Sequence, residues 1–130
     1  MLPVDRRTIR HLHWQPRVDF GARADGEFVV GLADLEQEIR SIILTPLGSV
    51  PLNPEKGCDL TPYVDRPPAI GIPAMTREIW RALTRWVVRI TVDDVRVETV
   101  AFHHYRFPVF WRPVQSVSDE ITRTDVDYVV

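Results

Sequence analysis

The feature that most constrains this fold is the concentration of proline in the middle of the chain. Seven of the eleven prolines lie between residues 46 and 73. Proline lacks a backbone N–H and has a fixed φ, so neither a long helix nor a central strand can run through this density. The segment is predicted to be a long ordered loop, held to the body by interspersed apolar side chains. Its shape is expected to depend on Pro46, Gly48, Pro54 and Gly57.

Apolar residues at helical spacing precede this loop. On a helical wheel they fall within one arc, and four polar residues fall on the far side. The apolar set is Leu32, Leu35, Ile39, Ile42 and Ile43, and the polar set is Asp34, Gln37, Glu38 and Ser41. The pattern predicts an amphipathic helix that begins near Gly31 and packs on a core. It should end near Thr45, because Pro46 disfavours helical geometry in the residue before it.

A second amphipathic helix is predicted to open at Pro73 or Thr76, after the loop. Its apolar face consists of Met75, Ile79, Ala82, Leu83 and Trp86. On the opposite side, Arg77, Arg81 and Arg85 follow one another at i, i+4 spacing. Such a stripe faces either solvent or a partner. Because arginine suits fixed bidentate contacts, the stripe is a candidate partner-binding surface.

After Trp86 the pattern changes to the alternation that is typical of strands, over residues 88–99. Another strand is predicted over residues 107–117. Its two prolines, Pro108 and Pro113, favour an edge position, because proline cannot donate to a neighbouring strand.

The final strand-forming segment covers residues 122–130. Its apolar face holds Val126, Tyr128 and Val130, which alternate with Asp125 and Asp127. The apolar face is a candidate partner-binding element, because a terminal strand frays easily and a partner strand would change its state most. The competing interpretation is that the segment closes the subunit's own sheet.

Together these elements predict an α+β fold, in which two amphipathic helices pack on a small, mostly antiparallel sheet with a long proline-rich loop. An irregular arm is expected over residues 1–28 and a strand tail over residues 118–130. A chain of 130 residues with 45% hydrophobic content is expected to form one domain, residues 1–130.

Composition disfavours several classes of function. The sequence has no run of about 20 apolar residues that could span a membrane. The formal net charge of −2 disfavours nucleic acid as the main partner. Cys58 is the single cysteine, which suits a reducing compartment, so synthesis in the cytoplasm is expected.

The sequence offers little for catalysis or for a cofactor. The histidine pairs, His11 with His13 and His103 with His104, lack companions at metal-ligand spacing, so no metal site and no cofactor are predicted. Cys58 has no neighbouring histidine in the sequence to activate it.

Paired carboxylates are the remaining candidates for chemistry. A glycosidase needs two carboxyl groups about 5 to 10 Å apart, one of them with a raised pKa. The acidic candidates are Glu36, Glu38, Glu55 and Asp59. Glu36 and Glu38 point to different sides of a helix, and a small domain leaves little room for a deep cleft. The chain is therefore not predicted to be an enzyme, and a peptidoglycan hydrolase is kept as an alternative.

Two segments in the first half of the chain together resemble a known family. They are residues 34–49 (DLEQEIRSIILTPLGS) and residues 54–60 (PEKGCDL). An apolar helix that ends in Leu-Thr, a glycine turn and then Pro-x-x-Gly is typical of the phage baseplate W or sheath-initiator family, which often carries a lysozyme-like label. The Mu-like phage version is the most similar. The resemblance covers about residues 10–100, including the HWQP and YVD segments.

The chain departs from this family at the junction of the second helix and the strand. The family usually carries Glu-Pro-Arg there, whereas this chain has Val87, Val88 and Arg89. The resemblance implies that the motif helps to bind neighbouring wedge proteins. Arg89, together with the arginine stripe, is therefore the expected wedge contact.

By resemblance, the protein is a structural component of the baseplate of a contractile phage tail or tail-like particle. Several copies are expected around the hub and spike complex, where they bind baseplate wedge proteins and offer strands to the first tail sheath subunits. The C-terminal strand region, residues 107–117 and especially residues 122–130, is the expected sheath-facing element, and it is expected to be poorly ordered or differently paired in the isolated subunit. A regulatory anti-adaptor-like module, which resembles the same fold, is the alternative from another functional class.

Overall fold

The computed structural model describes residues 14–16, 28–114 and 120–129. Contacts divide the chain into two compact units, Met1–Glu38 and Ile39–Val130. The first unit contains a short antiparallel pair of strands, β1 (Trp14–Pro16) and β2 (Phe28–Val30). Most of the expected N-terminal arm lies outside the described residues, and the expectation of a single domain stays a prediction.

Helix α1 (Leu32–Leu44) follows β2 and has the bounds that its periodicity predicts. Its apolar stripe is buried except for Leu32, which is 40% exposed. On the polar side of the helix, Asp34 and Gln37 are nevertheless buried. Gln37 is accommodated because its Nε2 donates a hydrogen bond of 2.9 Å to the Pro16 carbonyl, on strand β1.

The second unit adds two further helices, α2 (Thr61–Val64) and α3 (Pro68–Trp86). Helix α3 begins earlier than the predicted start at Pro73 or Thr76. Pro68 occupies its first turn, where a backbone N–H has no intrahelical partner, and the Pro67 carbonyl accepts the amide of Gly71 at 2.8 Å. Pro73 is tolerated inside the helix on an exposed side.

The C-terminal half of the chain forms a four-stranded antiparallel sheet. Its strands are β3 (Ile90–Val95), β4 (Glu98–Ala101), β5 (His104–Pro113) and β6 (Thr122–Val129). β6 pairs with one edge of β5 from His104 to Trp111 without a register shift. β3 and β4 therefore share the other edge of β5, one after the other. β5 is the central strand.

The predicted edge position of the strand that contains Pro108 is therefore wrong. The Pro108 carbonyl accepts the amide of Arg96 at 3.0 Å, so the backbone of Pro108 faces the side of β3 and β4. Arg96 lies in the interruption between those two strands. The missing N–H of Pro108 thus falls where the ladder is already broken, and a central strand can contain this proline.

The three helices pack on this sheet, which confirms the α+β fold. Helix α1 belongs to the second unit from Ile39 onward. The inward side of β5 presents Phe107, Val109 and Trp111, all 0% exposed. Helix α3 contributes its predicted apolar face, of which Ile79 and Leu83 are completely buried. The Tyr105 hydroxyl donates a 3.0 Å hydrogen bond to the Val64 carbonyl and so ties β5 to α2. None of the described helices combines the length and apolar character needed to cross a membrane.

Candidate interaction surfaces

The loop of residues 45–60, here called the proline loop, is closed by backbone hydrogen bonds. The Cys58 amide donates to the Thr45 carbonyl at 2.9 Å, and the Gly48 amide donates to the Pro54 carbonyl at 2.9 Å. Cys58 is buried at the base of the loop, with 4% exposure. These two bonds close the proline loop on itself, and the Asp59 amide ties it to helix α3 by donating to Glu78 Oε1 at 3.4 Å.

Two glycines shape this loop. Gly48 has a φ of 85° and Gly57 a φ of 114°, and both lie in the region that favours glycine. At Gly57 a Cβ would lie 2.3 Å from the Thr45 carbonyl oxygen, whereas at Gly48 a Cβ would meet nothing within 4 Å. Gly57 is thus required both by its backbone conformation and by the close approach of Thr45.

A surface cavity of about 380 Å³ lies between the proline loop and helix α3. Its lining combines apolar side chains with three acidic and two basic ones. The residues are Leu47, Pro54, Glu55, Asp59, Tyr63, Glu78, Arg81 and Arg85. Two members of the predicted arginine stripe therefore face this cavity.

Both of these arginines make ion pairs within the chain. Arg81 donates two hydrogen bonds to Glu78, from Nη2 to Oε1 at 2.5 Å and from Nε to Oε2 at 3.2 Å. Arg85 reaches across the cavity to Glu55 of the proline loop. The third member of the stripe, Arg77, is exposed. The assignment of these three residues to partner binding stays a prediction.

The electrostatics at Glu78 do not favour a role for this cavity residue as a catalytic acid. The hydrogen bond from Arg81 holds the pKa of the Glu78 carboxyl below its ordinary value, and the Asp59 amide at 3.4 Å adds to this effect. A glycosidase acid needs the opposite, a raised pKa. Burial raises the pKa of the Cys58 thiol to about 12, so the thiol is neutral and a poor nucleophile at neutral pH.

Arg89 lies at the junction of α3 and β3, where the sequence places it. It is half-buried, and its carbonyl accepts the Val114 amide at 3.0 Å, which continues the pairing of β3 with β5. Its backbone is therefore fixed by the sheet. Its expected contact with wedge proteins stays a prediction.

Strand β6 presents a row of backbone groups away from the sheet. Backbone groups alternate between the two edges of a strand, and Pro108 directs its carbonyl towards Arg96 on the side of β3 and β4. The odd-numbered residues of β5, on either side of Pro108, therefore direct their backbone groups towards β6. They bond to the even-numbered residues of β6. The outward row comes from Arg123, Asp125, Asp127 and Val129. Among the described residues no strand pairs with this outer edge.

The predicted apolar face of the terminal strand turns towards the subunit's own core. Val126 is 1% exposed and Tyr128 is half-buried, whereas Val130 lies outside the described residues. Thr124 is also buried, and its Oγ1 accepts a 2.8 Å hydrogen bond from the Trp111 indole. A role of β6 in partner binding, which stays a prediction, would thus fall to its outer edge.

The outer face of the sheet carries ion pairs that sequence reasoning missed. Arg106 Nε lies 2.9 Å from Asp127 Oδ1, and His104 Nε2 lies 3.4 Å from the same oxygen. Arg123 Nε lies 2.9 Å from Asp125 Oδ1 on the same strand. The i, i+2 spacing of Arg123 and Asp125 was a usable signal, whereas Arg106 and Asp127 meet only through the strand register.

The described part of the chain holds no cluster of three or more histidine, cysteine or acidic side chains that could bind a metal. His104 contacts a single described acidic side chain within 4 Å, that of Asp127, which does not make a metal site. Of the other candidate histidines, His103 is half-buried with its ring centroid 3.8 Å from that of Phe102, and His11 and His13 lie outside the described residues.

No family model matches the sequence, and no curated protein matches it. Among solved structures, a chain of the postcontracted pyocin R2 baseplate is 30% identical to this protein, with a TM-score of 0.53. That likeness covers 84% of this chain and 95% of the pyocin chain. A candidate tail lysozyme from Geobacter sulfurreducens is 19% identical, with a TM-score of 0.66, over 75% of this chain and 88% of that chain.

The two likenesses carry different weight. At 19% identity the Geobacter protein shares the fold alone, and its lysozyme description brings no activity to this chain. The identity and near-complete coverage of the pyocin chain go further: this chain belongs to the family of contractile-tail baseplate proteins that the pyocin R2 component represents. Its role is that of a structural baseplate component.

Proposed function

We propose that this protein is the sheath initiator of its tail, of the baseplate W type found in Mu-like phages. Several copies surround the hub and spike complex, bind wedge proteins and start sheath polymerisation by strand addition. The observation that carries this proposal is the likeness to the pyocin R2 baseplate over most of both chains. The outward row of β6 supports the proposal of strand addition, because such an edge offers backbone donors and acceptors to an added strand.

We assign wedge binding to the other side of the sheet, where β3 pairs with the edge of β5 that is opposite to β6. Arg89 is fixed at the junction of α3 and β3, and its guanidinium can bind a carboxylate of a wedge protein through two hydrogen bonds. Arg77, on the exposed side of α3, supplements it. Arg81 and Arg85 have acidic partners within the chain, so they contribute to this contact only if those pairs are exchanged.

A proline in the outward row tests strand addition without breaking the subunit's own sheet. The N–H of Asp125 points away from β5, so Asp125→Pro removes an outer donor and no bond of the internal ladder. Asp125→Asn is the matched control, since it removes the charge and retains the N–H. We expect particles with Asp125→Pro to contain baseplates without sheath, and particles with Asp125→Asn, which retain the outer donor, to be sheathed at a higher yield than those with Asp125→Pro.

The particles would be counted by electron microscopy after production in cells that contain the other tail genes. Sheathed particles at the wild-type yield with Asp125→Pro would contradict strand addition at this edge. The same assay tests the wedge contact. Arg89→Ala is expected to reduce the yield of complete baseplates, and Arg40→Ala, an exposed arginine on α1, is the control.

A further inference from the structure

The outer edge of β6 carries a charge pattern as well as unpaired backbone groups. The residues with outward N–H and C=O groups are also those whose side chains lie on the outer face of the sheet, because both properties alternate with the same period. In chain order they are Arg123, Asp125, Asp127 and Val129, that is, basic, acidic, acidic and apolar. All four are exposed.

Each charged side chain in this row retains room for a further partner. The side chains of Arg123 and Asp127 are both 52% exposed, and that of Asp125 is 42% exposed. A carboxylate can accept about four hydrogen bonds, so the contacts of Asp127 with Arg106 and His104 do not exhaust it. The contact with Arg106 also lowers the pKa of Asp127, which keeps this carboxylate charged.

The inner side of the same edge has a different character. Thr124 and Val126 are each 1% exposed, and Tyr128 is half-buried. A strand that joined this edge would place every second side chain beside these residues and the remaining ones beside the charged row. A single charged residue on the inner side would be placed against a buried, apolar surface.

We infer that the edge of β6 selects its incoming strand by charge and fixes its register. This inference rests on the proposed function and names the partner chemistry of that edge. The matching strand has apolar side chains on its inner side. On its outer side it has an acidic residue opposite Arg123, basic residues opposite Asp125 and Asp127, and an apolar residue opposite Val129. A shift of two residues places an acidic residue opposite Asp125, which like charges disfavour.

The occupant is therefore a strand of another tail subunit with this outer pattern. The two neighbouring carboxylates disfavour pairing with other strands, since charged side chains on an edge strand discourage indiscriminate addition. The pattern is directional because only one end of the row is basic. It distinguishes the matching strand from the same strand moved along the edge.

Two tethered strands test this inference in the full chain. Each is attached after Val130 through a flexible glycine–serine linker, which gives an effective concentration in the millimolar range. Both have valine and threonine on the inner side. The matched strand has glutamate opposite Arg123 and lysine opposite Asp125 and Asp127, and the reversed strand exchanges lysine and glutamate at those three positions.

Hydrogen exchange of individual amides, followed by NMR, reports the pairing. The amides of Arg123, Asp125 and Asp127 point outward, so they gain protection only when a strand is added. We expect the matched strand to protect them about tenfold more than the reversed strand. The double variant Asp125→Lys, Asp127→Lys should reverse this preference, with its melting temperature as a check on folding.

The outcomes separate the inference from the proposed function. Equal protection by both strands in the unsubstituted chain would overturn charge selection and leave strand addition at this edge intact. Protection by neither strand would overturn both, since the edge would then not accept a strand at all. Because the two strands are compared in the unsubstituted chain, this result does not depend on the stability of the lysine variant.

Discussion

The proline loop and strand β6 use their backbone groups in opposite ways. In the proline loop, the amides of Gly48 and Cys58 bond to carbonyls of the same loop and its base. In β6, alternate residues bond to β5, and Asp125 and Asp127 direct their N–H and C=O groups outward. The proline loop is held by bonds among its own backbone groups and by one bond to Glu78, whereas an edge strand is ordered although half of its backbone groups face away from the sheet. The loop therefore bonds largely within itself, whereas β6 presents a row of backbone groups that no strand among the described residues pairs with.

A glycine substitution tests the loop side of this comparison and should have the largest effect. Gly57→Ala places a Cβ 2.3 Å from the Thr45 carbonyl oxygen at a φ of 114°. Because that oxygen also accepts the Cys58 amide, relief of the clash breaks the loop closure. We expect a loss of about 3 kcal/mol or more in the free energy of unfolding, measured by chemical denaturation.

Gly48→Ala is the matched control for this loss. Gly48 has a φ of 85°, but a Cβ there meets nothing within 4 Å. Only backbone strain remains, so a loss of about 1 to 2 kcal/mol is expected. Equal losses for the two variants would show that the close approach of Gly57 to Thr45 does not hold the loop.

The inner side of β6 provides the second prediction. Thr124→Val retains the shape of the side chain but leaves the Trp111 indole N–H without its 2.8 Å acceptor in a buried site. An unsatisfied buried donor costs about 1 to 3 kcal/mol, so a loss of about 2 kcal/mol is expected. Thr122→Val, on the same strand and half-buried, is the control. If the two variants melted at the same temperature, the hydrogen bond between Thr124 and the Trp111 indole would not contribute to the stability of the fold.

The sequence was sufficient for elements whose period is set by one continuous core face. The apolar spacing of α1 and the alternation in β6 predict their positions because burial selects every side chain along each element. The start of α3 was missed because proline is as acceptable in the first turn of a helix as in a loop, and Pro68 alone does not distinguish them. The central position of β5 was missed because only pairing shows that Pro108 faces a gap.

The candidate site divides in the same way. Glu78 and Arg81 are three residues apart on one helix, so their contact could be expected from the sequence. Glu55 and Arg85 are separated by 30 residues, and their contact depends on how the proline loop folds back. The residues of the outward row of β6 can be identified only once it is known which residues of β5 bond to which neighbouring strand. The hydrogen bond from the Arg96 amide to the Pro108 carbonyl gives that information. The edge that a backbone group faces is decided by strand pairing, which the residues of a single strand do not reveal.

The smallest predicted effect concerns the ion pair that lies beneath the proline loop. Glu78→Gln removes the charge that Arg81 binds, and the Glu78 side chain in this pair is 17% exposed. Since Arg81 is 41% exposed and solvent screens the pair, the expected loss at neutral pH is only about 0.5 to 1 kcal/mol. Glu55→Gln, whose carboxylate is 68% exposed, is the control and should change stability by less than about 0.5 kcal/mol.

The loss from Glu78→Gln should depend on pH in a defined direction. The pKa of Glu78 is lowered in the fold from its ordinary value of 4.5, mainly by the hydrogen bond from Arg81. The unfolded chain therefore takes up this proton at a higher pH than the folded chain does, and the stabilisation, complete above 4.5, is lost as pH falls through the folded value. Denaturation curves of the original chain and of Glu78→Gln should thus differ at pH 7 and converge in acid. A difference that stayed constant from pH 7 into acid would show that Glu78 acts through packing and not through its charge.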